Sequence, residues 1–237
     1  MRLLLISNST NAGEPYLEYP MPYIAGFLGK ERLKCAFIPY AGVTLSFDDY
    51  AARVSQRFAA IGHDIVSVHS GIDPLELIET SDAIVVGGGN TFQLLKMTRE
   101  NGLIEAVRKK VLNGTPYIGW SAGANMACPT IRTTNDMPIV EPDSFNAFDL
   151  VPFQINPHYL DANPEGHAGE TREARIEEFI HVNRNITVAG LREGCMFRIE
   201  GRTIQLLGNR KVRIFRYGLP PRELGADDPL DFLLETY

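Results

Sequence analysis

Short apolar runs alternate with amphipathic stretches along the first half of the chain. Residues 3–6 (Leu-Leu-Leu-Ile) predict a strand, and residues 7–13, rich in Ser, Asn and Gly, a loop at its tip. A helix is expected over 21–28 and a second strand over 35–39, ended by Tyr40-Ala41-Gly42. Over 47–61 the residues Tyr50, Val54, Phe58 and Ile61 recur at helical spacing, and Gly62 caps that helix. Strands over 64–68, 83–86 and 115–119 and helices over 75–80, 91–98 and 103–112 complete the series. Strands interleaved with helices signal βαβ units and a parallel sheet, and a continuous run such as Ile84-Val85-Val86 fits a strand covered on both faces.

The pattern changes after residue 121. A short helix stops before Pro129, and residues 130–154 are loop-rich; the length and prolines of 130–149 suit a lid. A charged amphipathic helix is expected over 171–180 and a strand over 186–191. Residues 197–200, 203–207 and 212–217 predict an antiparallel meander with turns at Gly201 and Gly208-Asn209, and residues 219–237 read as a surface tail. With no internal repeat or linker, the expectation is a single α/β domain over 1–237. Its mostly parallel sheet is flanked by helices and carries a small antiparallel C-terminal extension.

Composition narrows the function. The 237 residues are 44% apolar and 22% charged, as in an ordinary globular protein, and the formal net charge of −6 speaks against nucleic-acid binding. Three cysteines (Cys35, Cys128, Cys195) in no CxxC pair read as reduced, buried thiols. The apolar run at residues 3–6 is too short for a signal peptide, and no stretch approaches the ~20 apolar residues that span a bilayer. A cytoplasmic protein without membrane contact, monomeric or homodimeric, is expected.

The strongest chemical signal is Gly119-Trp120-Ser121-Ala122-Gly123, a G-x-S-x-G motif between an expected strand and an expected helix. Its glycines relieve a strained turn that exposes the serine, and the helix start aims N–H groups at a forming oxyanion. A second signal, Gly87-Gly88-Gly89-Asn90-Thr91, also follows a strand. This loop could cradle a phosphate, but it lacks the G-x-G-x-x-G spacing and the Walker lysine. With a nucleophile on the neighbouring strand end, it suits an oxyanion hole in which this loop gives one donor and the Ala122 N–H the other.

Of the five histidines, His63, His69 and His181 read as structural or solvated. His158, in Ile155-Asn156-Pro157-His158-Tyr159, belongs at a strand end and is the expected base, with His167 second. The orienting acid could be Glu193, beside Gly194 after a strand, or Asp136. The histidine spacings match no zinc signature, so neither metal nor cofactor is expected.

At these residues the chain resembles peptidase E, the α-aspartyl dipeptidase family of the class I glutamine amidotransferase-like superfamily, whose fold is flavodoxin-like. The likeness runs through LLLISNST at 3–10, FIPYAGVT at 37–44, VVGGGNTFQLLK at 85–96 and YIGWSAGANMACPTIRTTNDMPIV at 117–140. QINPH at 154–158 and EGHAGETREARI at 165–176 extend it. The resemblance implies Ser121 as nucleophile, His158 as base, Glu193 as acid, and Gly89 and Ala122 as the oxyanion hole. The amidotransferase relatives carry a cysteine at the elbow and an H-x-E, whereas Ser121 and Leu160 occupy those positions here. This departure argues against glutamine-ammonia transfer.

The implied reaction is hydrolysis of Asp-X dipeptides and short peptides through an acyl-enzyme. Reading an aspartate side chain calls for an arginine fork, and Arg172 is the candidate, with Arg175 as fallback and Asn90 assisting. Asp136 could accept the substrate amine. Two other readings compete: a cyanophycinase-like or other amidase of the same superfamily, and a small-anion or nucleotide sensor built on the Gly87–Asn90 loop.

Overall fold

The computed structural model describes every residue except Ile72, Pro164, His167, Thr236 and Tyr237. His167, the second choice of base, therefore lies outside the described residues. A seven-stranded sheet forms the centre, built from β1 (Arg2–Ile6), β2 (Lys34–Ile38), β3 (Asp64–Ser67), β4 (Ala83–Val86), β5 (Tyr117–Trp120), β8 (Met196–Glu200) and β9 (Thr203–Leu207). Its order is β3-β2-β4-β5-β1-β8-β9, parallel from β3 to β1 and antiparallel through β8 and β9.

The alternation of side chains across this sheet builds two apolar layers. Leu3, Leu5, Ile38, Ile84, Val86 and Tyr117 face one layer with α3 (Pro74–Thr80), α4 (Thr91–Glu100) and α5 (Leu103–Leu112). Leu4, Ile6, Phe37, Val85, Ile118 and Trp120 face the other with α1 (Met21–Leu28) and α2 (Phe47–Ala59). Side-chain caps start the helices where the sequence supplies them: Ser46 accepts from Asp49 N–H, and Asn90 from Gln93 N–H, each at 3.0 Å.

The second half departs from expectation in two respects. The meander is split: β8 and β9 form a hairpin on the main sheet, but β10 (Val212–Phe215) crosses to a separate four-stranded sheet ordered β11-β10-β7-β6. There β6 (Gln154–Tyr159) runs parallel to β7 (Val188–Arg192). The supposed tail is also structured. β11 (Arg222–Leu224) pairs with β10, and a 3-10 turn at Asp231–Leu234 follows, with Leu230 and Leu233 buried. A strand pattern specifies which face is apolar, not which neighbour it pairs with, so the change of sheet is invisible in periodicity.

α6 (Ala122–Asn125) is a single turn, and α7 (Arg172–Val182) packs near the second sheet with Ile176 and Ile180 buried. The loop-rich stretch is anchored at both ends by buried Ile131 and Phe148, while Met137 and Ile139 at its middle are exposed. Among the described residues, no helix is long and apolar enough to cross a membrane.

Candidate active site

Ser121 leaves β5 at φ 53°, a conformation that L-residues adopt at a cost, and its N–H donates to the Ile6 carbonyl at 2.9 Å. The motif glycines are required by close backbone approach. A Cβ on Gly119 would run into the Gly123 carbonyl oxygen, and one on Gly123 into that of Val86. Gly89 has φ +137°, and a Cβ there would strike the Ala41 carbonyl oxygen. Among the described residues no protein acceptor takes the N–H of Gly89 or Ala122. Because α6 is one turn long, the summed helix dipole expected from the sequence is small, and what the loops offer an anion is individual N–H groups.

His158 lies near the end of β6, as expected, at φ 52° and at a register irregularity between Asn156 and Tyr159. Its Nε2 is 3.0 Å from Ser121 Oγ, and its Nδ1 is 2.7 Å from Glu193 Oε1. An ionised carboxylate only accepts, so Nδ1 carries the ring proton and Nε2 is free to take the serine proton. Glu193, in the turn between β7 and β8, is therefore the acid in contact with His158. The neighbouring Arg192 is only 9% exposed and is held by Asp161 and Glu223, which leaves Glu193 free for the imidazole.

Two residues that read as mere loop formers hold this arrangement. Ser7, fully buried, donates its hydroxyl to Leu191 O at 2.7 Å and accepts from the His158 N–H at 2.9 Å. Asn8, also fully buried, accepts through Oδ1 from Gly194 N–H at 2.8 Å and from the Tyr19 hydroxyl at 2.6 Å. The tip of β1 thus grips the backbones that carry His158 and Glu193. The only available signal was their position directly after the first strand, at the sheet edge where ligands of such folds bind.

Ser121 and His158 open into a cleft of about 540 Å³ that Gly89 and Asn90 also line. Asn90 is already engaged: its Oδ1 caps α4 and its Nδ2 donates to Met137 O at 2.9 Å. Arg172 and Asp136 do not line this cleft. Both line a neighbouring depression with Arg132, Asn135, Asn156 and Arg175. There Arg172 donates to Asn135, and burial together with nearby Arg175 pulls its pKa down, against an opposing pull from Asp136. Asp136 Oδ2 accepts from Thr91 N–H at 2.7 Å and from the Thr91 and Thr134 hydroxyls, far from the role of orienting acid. Arg175 lies 3.9 Å from Glu170.

The remaining candidates have structural surroundings. His69 bonds Ser67 and Asp48, His181 bonds the Glu177 carbonyl, and His63 Nδ1 accepts from Leu33 N–H. All three cysteines are free and buried, and burial pushes the Cys35 and Cys128 thiols up to about 12, so neither supplies a thiolate. Among the described residues no cluster of three or more His, Cys, Asp or Glu side chains could hold a metal ion.

Comparison with known proteins gives consistent family matches. The model of peptidase family S51 matches residues 3–207. A protein of Nostoc sp. named peptidase E is 52% identical over 99% of this chain and 97% of its own length. Peptidase E of Streptomyces coelicolor is 51% identical over 100% and 96% of the two chains, and that of Salmonella typhimurium 50% over 92% and 95%. Among solved structures, a peptidase from an acI-B1 Actinobacterium superposes with a TM-score of 0.70 at 17% identity, covering 97% of this chain and 96% of its own. A protein of Listeria monocytogenes gives 0.65 at 22% identity, covering 88% and 98%. At such identities these two structures speak for the fold alone.

Proposed function

The chain belongs to peptidase family S51, and from that premise we propose that it hydrolyses dipeptides bearing an N-terminal aspartate, through an acyl-enzyme on Ser121. The observation that carries the reading is the continuous relay of Glu193, His158 and Ser121, with contacts of 2.7 and 3.0 Å. His158 takes the Ser121 proton as the hydroxyl attacks the aspartyl carbonyl, and the Gly89 and Ala122 N–H groups receive the oxyanion. His158 then gives the proton to the leaving nitrogen, and water repeats the sequence to release aspartate. One oxyanion donor is typically worth about 10²–10³ in rate.

For the aspartate side chain, the supporting feature is Arg172, a half-buried guanidinium with no carboxylate within salt-bridge distance among the described residues. Asn135 links it to the catalytic strand by donating to Pro157 O at 2.7 Å. Asp136 is the acceptor for the substrate amine through the oxygen that Thr91 and Thr134 leave free. The three buried free thiols favour the reducing cytoplasm as its location.

The test is hydrolysis of Asp-Leu, Asn-Leu, Glu-Leu and N-acetyl-Asp-Leu by the wild type and by Ser121→Ala, with EDTA present. The expected result is cleavage of Asp-Leu alone, abolished in the variant and unaffected by EDTA. Equal cleavage of Asn-Leu would remove Arg172 from side-chain recognition. Undiminished activity of Ser121→Ala would remove the acyl-enzyme itself.

A further inference from the structure

The cleft that holds Ser121 has a chemistry the aspartyl reaction does not use. Among the described residues, Arg53 is the only lysine or arginine lining it, and no aspartate or glutamate lines it. The Arg53 guanidinium stacks 4.5 Å over the Tyr16 ring and has no carboxylate within salt-bridge distance among the described residues. Three apolar side chains that also line the cleft, Val43, Leu45 and Ile139, are 55%, 36% and 50% exposed. An unpaired cation beside an uncovered apolar surface, with a nucleophile in the same cavity, matches an amphiphilic anion.

Helix geometry ties this cation to the reacting centre. Arg53 follows Tyr50 by three residues in α2, so the two lie on one face. Tyr50 donates its hydroxyl to Gly88 O at 2.9 Å and accepts from Trp120 Nε1 at 3.3 Å. The helix that presents Arg53 is thereby pinned to the loop that presents the Gly89 N–H. In the acyl-enzyme reading, the leaving nitrogen must meet His158 Nε2, which faces this cleft and not the Arg172 depression. The residue behind that nitrogen therefore enters the cleft that Arg53, Val43, Leu45 and Ile139 line.

We propose that Arg53 binds the free C-terminal carboxylate of the leaving residue, whose apolar side chain rests on Val43, Leu45 and Ile139. The assignment rests on the aspartyl dipeptidase reading and predicts a preference for substrates whose leaving residue ends in a free carboxylate over the same substrates amidated there. An arginine fork suits a carboxylate in two-point contact, and the Tyr16 ring beneath it reduces the entropy lost on binding.

The test compares Asp-Leu with its C-terminal amide for the wild type, Arg53→Met and Arg53→Lys. The wild type should favour Asp-Leu over the amide by about 10- to 100-fold in kcat/KM, the range of a charge-assisted hydrogen bond. Arg53→Met should lose most of that factor on Asp-Leu, with a loss on the amide several-fold smaller, and Arg53→Lys should fall between. Equal losses on both substrates, or no loss on either, would overturn the assignment. A wild type that ignores the amide's missing charge would do the same. A wild type that cleaves neither substrate would sink the dipeptidase reading, and the assignment with it, a result distinct from those failures. Arg53→Lys keeps charge and stem, so a misfolded Arg53→Met does not remove the test.

Discussion

The seven-stranded sheet presents Ser121 and the Gly89 loop from strand ends whose side chains are apolar on both faces. The four-stranded sheet instead presents His158 and Glu193 from strands held by polar contacts: Ser7 and Asn8 from the tip of β1, and the ion-pair group of Arg192, Arg213, Glu173 and Glu223. A nucleophile on a strained turn needs a rigid, close-packed base, which hydrophobic burial supplies without direction. Holding an imidazole between two partners needs direction, which hydrogen bonds supply at the cost of leaving nothing unpaired. The Glu193–His158–Ser121 chain of contacts is the place where these two ways of building meet.

Substitutions on the polar side should therefore injure geometry before stability. The largest effect is expected for Glu193→Gln, which places an amide against His158 Nδ1 and disturbs the tautomer; kcat should fall by about 10⁴-fold with the fold intact. Asp136→Asn is the contrast, raising KM while kcat stays within a few-fold, because Asp136 does not touch His158. Steady-state kinetics on Asp-Leu would separate the two, and a kcat loss confined to the Asp136 variant would invert the assignment of the orienting acid.

A smaller effect is expected from Ser7→Ala. It strips partners from the buried His158 N–H and Leu191 carbonyl, costing about 1–3 kcal/mol of stability. It should also lower kcat about 10- to 100-fold with little change in KM, since the ring shifts relative to Ser121. A stability loss with unchanged kcat, read by denaturant titration beside kinetics, would reduce Ser7 to a packing residue.

The smallest effect is expected from Glu223→Gln. Hydrogen bonding to Arg192 holds the Glu223 carboxyl below the usual carboxylate range, as it does Asp161. A depressed pKa contributes stability that is fully present above the ordinary carboxylate value and is lost as pH falls below it through the lowered one. The variant should thus melt about 2–4 °C lower near neutrality, for a loss of about 1 kcal/mol, and match the wild type in strong acid. Parallel melting curves at all pH values would show that the pair does not stabilise the second sheet.

The same contrast explains what the sequence made legible. Continuous apolar runs marked the main sheet, because Leu3 to Ile6 and Ile84 to Val86 fit a strand covered on both faces, where the structure buries them. Gly89, Gly119 and Gly123 were legible because backbone crowding at a site excludes every other residue. Glu193 needed the resemblance, since an acid in a Gly-flanked turn has the same local pattern whether it meets a histidine or water. Ser7 and Asn8 passed as loop composition, for burial of a polar residue leaves no periodic trace. The Arg172 and Asp136 segments were found, yet their separation from the Ser121 cleft is a matter of tertiary placement.

Covalent labelling with a serine-reactive phosphonate, followed by peptide mapping, tests the meeting of the two sheets most directly. One adduct on Ser121 in the wild type, formed much more slowly in His158→Ala and in Glu193→Gln, is the predicted result. Absence of labelling, modification of another residue, or an equal rate in all three proteins would contradict the account.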